Sequence, residues 1–208
     1  MVRLPIRRFL AVACASVVVG VACAGDGPTA DSSPAMHSHD DPLLAVTAPA
    51  EVRQKIADLR RWSATFHDLD AAAAAGYSVN IGCIDETVAG VDPSVARGMG
   101  YHVTKPGLIE DGVVDIDHPE LLVYAPHPRD ASLPKAERIG KARLIGFDYY
   151  LPDPDRLLDP PEFFGEPFNY SEPFAGWVRH IYLWGHNPEG MFEDYNQAVP
   201  LCTELLSP

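Results

Sequence analysis

The chain has 208 residues, 47% of them hydrophobic, and a formal net charge of −13. It contains no basic patch that could neutralise phosphates, so nucleic acid is disfavoured as a partner. The part of the chain after residue 49 is long enough for one hydrophobic core and too short for two ordinary domains. We therefore expect a single acidic domain over residues 50–208.

Residues 1–22 have the anatomy of a signal peptide. Three arginines within the first eight residues precede an apolar run, Phe9–Ala22, that is short for a membrane span. Two processing routes fit its end. Ala22-Cys23-Ala24 matches a cleavage site with small flanking residues, and Gly20-Val21-Ala22-Cys23 is a loose version of the box that precedes a lipid-modified cysteine.

Residues 23–49 favour the second route. They are rich in Gly, Ser, Thr, Ala, Pro and Asp, a composition that cannot bury enough apolar surface to offset the entropy of ordering and is typical of a disordered tether. A tether is useful when its far end is fixed. We predict lipidation at Cys23 and an exported protein, either a membrane-anchored lipoprotein or a secreted or periplasmic one, with membrane contact through the lipid anchor only.

Two cysteines remain when Cys14 leaves with the signal peptide and Cys23 carries a lipid. In an oxidising compartment, Cys83 and Cys202 can form a disulfide. The alternative is a pair of buried free thiols. A metal site built on them is disfavoured because neither cysteine belongs to a CxxC motif.

Apolar residues between positions 50 and 76 recur at steps of three and four, which predicts an amphipathic helix or two helices in line. A break is expected near Ser63–Thr65, because Thr65 and Asp68 have the spacing of a capping pair. Gly76 is a suitable left-handed C-cap after the alanine run 71–75. The alanines indicate close packing, most simply against a sheet.

Beyond Gly76 the chain reads as short β-segments bounded by Gly, Pro or Asp. The predicted strands are Tyr77–Cys83, Met99–Thr104, Glu120–Ala125, Ala142–Leu151 and Val178–Trp184. No helical stretches separate them, which favours an antiparallel sheet. The predicted fold is therefore α+β, with one or two N-terminal helices packed on a curved antiparallel sheet that forms a cone or partial barrel. Between the last two strands, Pro152–Pro173 is an aromatic, proline-rich loop.

Strand alternation indicates the candidate site residues. His102 lies in a glycine-flanked strand, His180 shares a strand face with Tyr182 and Trp184, and Glu120 shares one with Tyr124. If these faces converge in a curved sheet, His102, Glu120 and His180 form a two-histidine, one-carboxylate set. Such a set suits a divalent transition metal. The predicted ligand-binding side chains beside it are those of Tyr124, Tyr182 and Trp184.

Three functions fit these residues. The favoured one is an exported cell-envelope protein that binds a metal ion or small molecule in a His/Glu/aromatic pocket. The second is a small-molecule enzyme that uses a His/Glu acid–base pair or metal-activated water. The third is a cell-envelope interaction module whose contact surface is the aromatic loop 161–177, with structural histidines. No GxSxG, phosphate-binding glycine loop or CxxCH motif is present, which disfavours several common enzyme classes.

Several motifs together resemble a family of secreted bacterial proteins that has no assigned activity. They are Ala72–Tyr77, Gly98–His102, Pro119–Tyr124, His180–Trp184 and Asn187–Phe192. The resemblance covers roughly residues 60–205. It implies export and places His102, Glu120 and His180 inside the shared motifs, without implying a reaction.

Overall fold

The computed structural model describes residues 49–130 and 132–206. The predicted signal peptide, the predicted lipidation site at Cys23 and almost all of the predicted tether lie outside the described residues. Within the described part of the chain, no helix combines the length and the apolar composition that crossing a membrane requires.

Two N-terminal helices follow each other with a short 3₁₀ turn between them. Helix α1 is Ala50–Ser63, the 3₁₀ turn is Ala64–His67 and helix α2 is Leu69–Ala74. The side chain of Asp68 caps α2 by accepting from the backbone N–H of Asp70. Gly76 has a φ of 97° after α2, and the N–H of Tyr77 donates to the carbonyl of Ala72. This is the glycine-terminated helix end that the sequence predicts.

The main sheet has six strands, and every neighbouring pair is antiparallel. The strands are β1 (Val79–Asp85), β2 (Gly98–Thr104), β3 (Leu121–Ala125), β4 (Arg143–Pro152), β7 (Asn169–Ser171) and β8 (Gly176–Ile181), in the order β1-β2-β3-β4-β8-β7. The sheet is curled into a half-barrel. The predicted α+β fold with a curved antiparallel sheet is thus confirmed.

The remaining elements are short and lie between or after the strands. They comprise the 3₁₀ helices Glu86–Ala89 and Pro128–Asp130, the helices α3 (Pro106–Glu110), α4 (Lys135–Gly140) and α5 (Cys202–Leu206), and the hairpin of β5 (Glu162–Phe163) and β6 (Glu166–Pro167).

One face of the sheet packs against the N-terminal helices. Its buried side chains include Tyr101, Leu122, Tyr124, Phe147, Tyr149 and Ile181, which form a single core with Leu59 and Phe66 from the helical segment. Tyrosines in this core keep their hydroxyl groups satisfied. Tyr124, for example, donates to the carbonyl of Phe66, because an unpaired buried hydroxyl would be costly.

The opposite face is also buried, and it carries the polar side chains of His102, Asp148 and His180 beside apolar ones such as Leu121 and Val123. The chain after β8 returns over this side, where Asn196 pairs with Gly98 at the start of β2. The Oη of Tyr182 donates to the carbonyl of Asp194 in the same returning segment. Asp194 and Asn196 of the returning segment therefore lie against the second face of the sheet, where His102, Asp148 and His180 are buried.

The predicted disulfide is confirmed. Cys83 in β1 is bonded to Cys202 at the start of α5, at a sequence separation of 119. Close by, the backbone N–H of Cys202 donates to Asp85. The C-terminal helix is thereby fixed to an edge strand of the sheet.

The aromatic loop contains more regular structure than its prolines suggest. It includes the β5–β6 hairpin and β7, and its rings are packed: Phe163 and Phe168 contact each other and both contact Tyr149 in the core. Phe164 lies 5.7 Å from Phe192 between ring centroids. Phe168 is therefore buried in the core, and Phe163 and Phe164 are partly buried against it.

Candidate metal centre

Strands β2, β4 and β8 bring His102, Asp148 and His180 together on the same face of the sheet, with β3 between β2 and β4. In the strand register His102 lies opposite Val123, while Asp148 lies opposite both Leu121 and His180. Val123 and Leu121 are two residues apart and face the same side, as do residues paired directly across strands. The register alone thus places these three polar side chains on one face, although none is adjacent to another in sequence.

The three side chains meet at their tips. The Nε2 atoms of His102 and His180 are 3.3 Å apart, and Oδ2 of Asp148 is 3.5 Å from the His180 Nε2 and 3.9 Å from the His102 Nε2. Atoms at these separations lie on a circle with a radius of about 2.1 Å, which is the usual length of a Zn–N or Zn–O bond. A metal ion at the centre of the circle would be at bonding distance from all three.

The outer nitrogens of both imidazoles face acceptor groups. Nδ1 of His102 donates to the carbonyl of Gly100 at 3.1 Å, which leaves a lone pair on its Nε2. Nδ1 of His180 lies 3.8 Å from Oδ1 of Asp194, whose other oxygen accepts from the side chain of Asn169 at 2.7 Å. Metal-binding histidines are commonly oriented by a carbonyl or carboxylate in this way.

Burial dominates the electrostatics of the cluster. It lowers the pKa of His102 to about 3, with a further contribution from the neighbouring His180, and it raises the pKa of Asp148 to about 7. Burial also acts against a charged His180, but Asp148 and Asp194 together raise the pKa of that imidazole. The pKa of Asp194 is lowered because His180 and Asn169 outweigh the effect of burial.

Asp148, and not Glu120, is the carboxylate beside the two histidines. Glu120 precedes Leu121, which faces the metal side, so alternation turns the Glu120 side chain to the helix-packed face. There its Oε2 accepts from the backbone N–H of Tyr150. Its Oε1 has no hydrogen-bond partner among the described residues, and burial raises its pKa to about 8. The predicted triad thus keeps both histidines and has a different carboxylate.

The three predicted ligand-binding aromatics lie in different places. Tyr182 stacks beside His180 with ring centroids 6.1 Å apart. Tyr124 belongs to the core on the opposite face. Trp184 lies beyond the end of β8, where the alternation no longer holds, and its Nε1 donates to Ser63 of α1. Only Tyr182 is next to the histidine pair.

A cavity of about 660 Å³ opens next to the cluster. Asp148 and His180 form part of its wall, together with Asp194, Tyr195, strand β7 and residues 172–174. This volume is in the range of small-molecule sites. A ligand that entered the cavity would reach the cluster from the side of His180 and Asp148.

Two members of the site were not selected from the sequence. Asp148 shares a strand face with Tyr150, which the alternation does indicate, but this gives no reason to prefer it over Glu120. Asp194 follows the Gly190-Met191-Phe192 turn in an irregular segment. Periodicity carries no information in such a segment, so its proximity to His180 depends on how the chain returns over the sheet.

No known protein family matches the chain, and neither curated proteins nor solved structures give a match. The function is therefore inferred from the geometry of the site.

Proposed function

We propose that the protein binds a divalent transition-metal ion through His102, Asp148 and His180, at the base of a cavity open to a small molecule. The observation that carries this proposal is the convergence of two imidazole nitrogens and one carboxylate oxygen, with pairwise distances of 3.3–3.9 Å, in a buried part of the sheet. No sequence motif determines that these three side chains lie close together. Their proximity depends on the register of three separate strands.

The convergence of these acceptor atoms favours a bound cation. Nε2 of His102 carries a lone pair, since its Nδ1 donates to a carbonyl. It faces the Nε2 of His180 and the Oδ2 of Asp148, and Oδ1 of Asp148 has no hydrogen-bond partner among the described residues. Buried acceptors that face one another are costly unless a proton or a cation lies between them. A metal ion satisfies all three at once.

The donor atoms of the three ligands indicate which metal ions the site prefers. Two imidazoles and one carboxylate suit zinc, iron(II) and related divalent ions better than calcium or magnesium, which prefer all-oxygen sites. Three protein ligands also leave at least one coordination position for water or a substrate, as in catalytic metal sites. The adjoining cavity provides room for that further ligand.

The direct test is metal stoichiometry and affinity of the purified protein. We expect one Zn²⁺ or Co²⁺ per chain by elemental analysis and titration calorimetry, and at least a 100-fold loss of affinity in His102→Ala, Asp148→Asn and His180→Ala. Two controls are matched to these variants. His67→Ala removes a histidine that contacts Trp184 instead, and Glu120→Gln removes the carboxyl group on the opposite face.

Both controls should bind metal as the wild type does. Wild-type protein that binds no ion, or binds one that survives loss of both histidines, would overturn the proposal. Loss of binding in Glu120→Gln alone would return the carboxylate role to Glu120.

A second candidate is proton transfer without a metal. It is favoured by the position of His180 between two carboxylates, at 3.5 Å from Asp148 and 3.8 Å from Asp194, beside the cavity. Such a histidine can exchange protons with a bound small molecule. Chelation separates the two candidates, because ligand binding that depends on a metal is abolished by chelation and restored by Zn²⁺, whereas an acid–base pair is unaffected.

The sequence also supports a proposal about location. We propose export, with a lipid on Cys23 or with free release after cleavage, because residues 1–22 have signal-peptide anatomy and the Cys83–Cys202 bond suits an oxidising compartment. Intact-mass measurement of protein from the membrane and soluble fractions tests this. A lipidated mature N-terminus at Cys23 supports anchoring, and an unprocessed chain in the cytosol contradicts export.

A further inference from the structure

We infer that the cavity beside the metal centre takes an uncharged, largely apolar small molecule of aromatic size that supplies one donor atom to the ion. This inference rests on the proposed metal site and adds the chemical class of its ligand. It follows from the walls of the cavity, the charges that line it and the position of the cluster.

The walls of the cavity are mostly apolar or aromatic. Met99 and Val178 contribute from β2 and β8, and Tyr170, Phe174 and Tyr195 contribute rings. Phe174 is 37% exposed, so its ring is accessible to a ligand in the cavity. Its carbonyl accepts from the Oη of Tyr150, so the backbone here is held while the ring stays at the cavity. A ligand with an aromatic body would cover this ring.

The charges around the cavity disfavour an anionic ligand. None of the described residues that line it is a lysine or an arginine, whereas Asp148, Asp194 and Glu172 are all part of the wall. The Glu172 carboxylate is paired with Arg156 at 2.8 Å. The charges of Asp148 and Asp194 match the two positive charges of a divalent ion.

The neighbouring arginine on β8 does not change this balance. Arg179 adjoins His180 in sequence and therefore faces the other side of the strand, where it donates to the carbonyl of Phe192. A carboxylate or phosphate in the cavity would have no cationic side chain among the lining residues to meet it. An uncharged donor such as a neutral heteroaromatic nitrogen, a phenol or an alcohol needs no such cationic partner.

Three probes of known charge and size test the inference on Co²⁺-loaded full-length protein: imidazole, 4-phenylimidazole and benzoate. Visible absorption of the Co²⁺ reports each one as it enters the coordination shell. We expect 4-phenylimidazole to bind at least about 10-fold more tightly than imidazole, because its phenyl group gains the apolar wall. Benzoate has the same ring but a negative charge, and we expect it to bind at least about 10-fold more weakly than 4-phenylimidazole.

Two variants test whether the cavity wall is responsible for the tighter binding of 4-phenylimidazole. Phe174→Ala should weaken 4-phenylimidazole on the order of 5- to 10-fold and leave imidazole unchanged. Leu157→Ala is the matched control, since Leu157 is 80% exposed and lies outside the cavity wall. It should change neither probe.

The outcomes distinguish this inference from the metal site itself. Absence of Co²⁺ bands that depend on His102 and His180 overturns the metal site and the inference with it. If the Co²⁺ bands are normal, three results overturn the inference and leave the metal site intact. These are equal affinities for imidazole and 4-phenylimidazole, an affinity for benzoate as high as that for 4-phenylimidazole, and an unchanged affinity for 4-phenylimidazole in Phe174→Ala.

Discussion

Asp194 lies beside His180 but is not one of the three proposed ligands, so its effect can be measured apart from theirs. Its Oδ1 lies 3.8 Å from Nδ1 of His180 while its Oδ2 is held by Asn169. A metal ion on Nε2 would require His180 to carry its proton on Nδ1, and the Asp194 carboxylate would favour that tautomer electrostatically from 3.8 Å.

We therefore expect Asp194→Asn to weaken Zn²⁺ binding by about 10- to 100-fold, which is less than the loss of a direct ligand. Competition with a chromophoric chelator measures the affinity. Glu193→Gln is the control, because it removes an adjacent exposed carboxylate. A metal-free melting temperature should accompany each affinity, since a loss of affinity explained entirely by unfolding would argue against a positioning role.

Glu120 provides a test of pH dependence away from the metal ligands. Burial raises the pKa of Glu120 in the folded protein to about 8, from the 4.5 that is usual for a glutamate. Between these values the folded protein keeps a proton that the unfolded chain has lost, so the contribution of Glu120 to stability is present below the unfolded pKa and is lost as the pH rises towards 8.

Glu120→Gln should remove this dependence. We expect the stability of the variant relative to wild type to increase by roughly 2–4 kcal/mol between pH 5 and pH 8. Urea unfolding of metal-free protein at several pH values measures the difference. The change with pH is the diagnostic quantity, because burying the glutamine amide at this position changes the free energy of unfolding by an amount that does not depend on pH. A difference that stays constant across this range would show that Glu120 is ionised in the folded protein.

Glu120 and Asp148 show how far the sequence predicts the site. Alternation correctly grouped residues within each strand, and both histidines were selected from it. It could not determine which face of one strand meets which face of the next, because this depends on register across strands that are far apart in sequence. Alternation therefore could not distinguish Glu120 from Asp148 as the carboxylate beside the histidines. In the fold, the two side chains lie on opposite faces of the sheet.

At the scale of the elements, strand β2 places His102 through an unusual glycine. Gly100 has a φ of 115°, and its carbonyl accepts from Nδ1 of His102. A Cβ at this position would lie 2.6 Å from the carbonyl oxygen of Tyr124 on β3. A side chain is excluded here both by the backbone conformation and by the close approach of the neighbouring strand.

We expect Gly100→Ala to destabilise the protein by about 3 kcal/mol or more and to weaken metal binding as β2 shifts away from β3. Gly82→Ala is an informative control. Gly82 also has a positive φ, 101°, but a Cβ there would meet nothing within 4 Å. It should cost only about 1 kcal/mol and leave metal binding unchanged. Equal costs for the two variants, measured by chemical denaturation, would mean that contact with β3 is unimportant.

The regular elements were largely predictable because their signals are local. The apolar spacing before Ser63 and the Gly76 terminus are properties of neighbouring residues, and the structure shows both. The predicted Thr65–Asp68 capping pair is wrong, because Asp68 is itself the residue that caps α2. Strand β7 and the β5–β6 hairpin were not predicted. They have three residues or fewer per strand, and their prolines and aromatics gain order by packing on Tyr149 and Trp177, which no local pattern reveals.

At the scale of the whole molecule, the disulfide and the proposed metal centre lie in different parts of the fold. Cys83–Cys202 joins the C-terminal helix to the edge strand β1, whereas the three proposed ligands come from β2, β4 and β8. The disulfide closes a loop over a sequence separation of 119 residues, which contains all three ligands. It restricts the unfolded chain without contacting the site.

We expect the double variant Cys83→Ser/Cys202→Ser to lose roughly 2–4 kcal/mol of stability, or on the order of 5–15 °C in melting temperature, and to keep its Zn²⁺ affinity within about threefold. Calorimetric melting and zinc titration below the transition measure the two quantities separately. Zinc should raise the melting temperature of the variant and of the wild type alike, since it binds only the folded state. If the variant folds but loses its zinc affinity, the C-terminal helix is coupled to the strand register at His102, and the two devices are not independent.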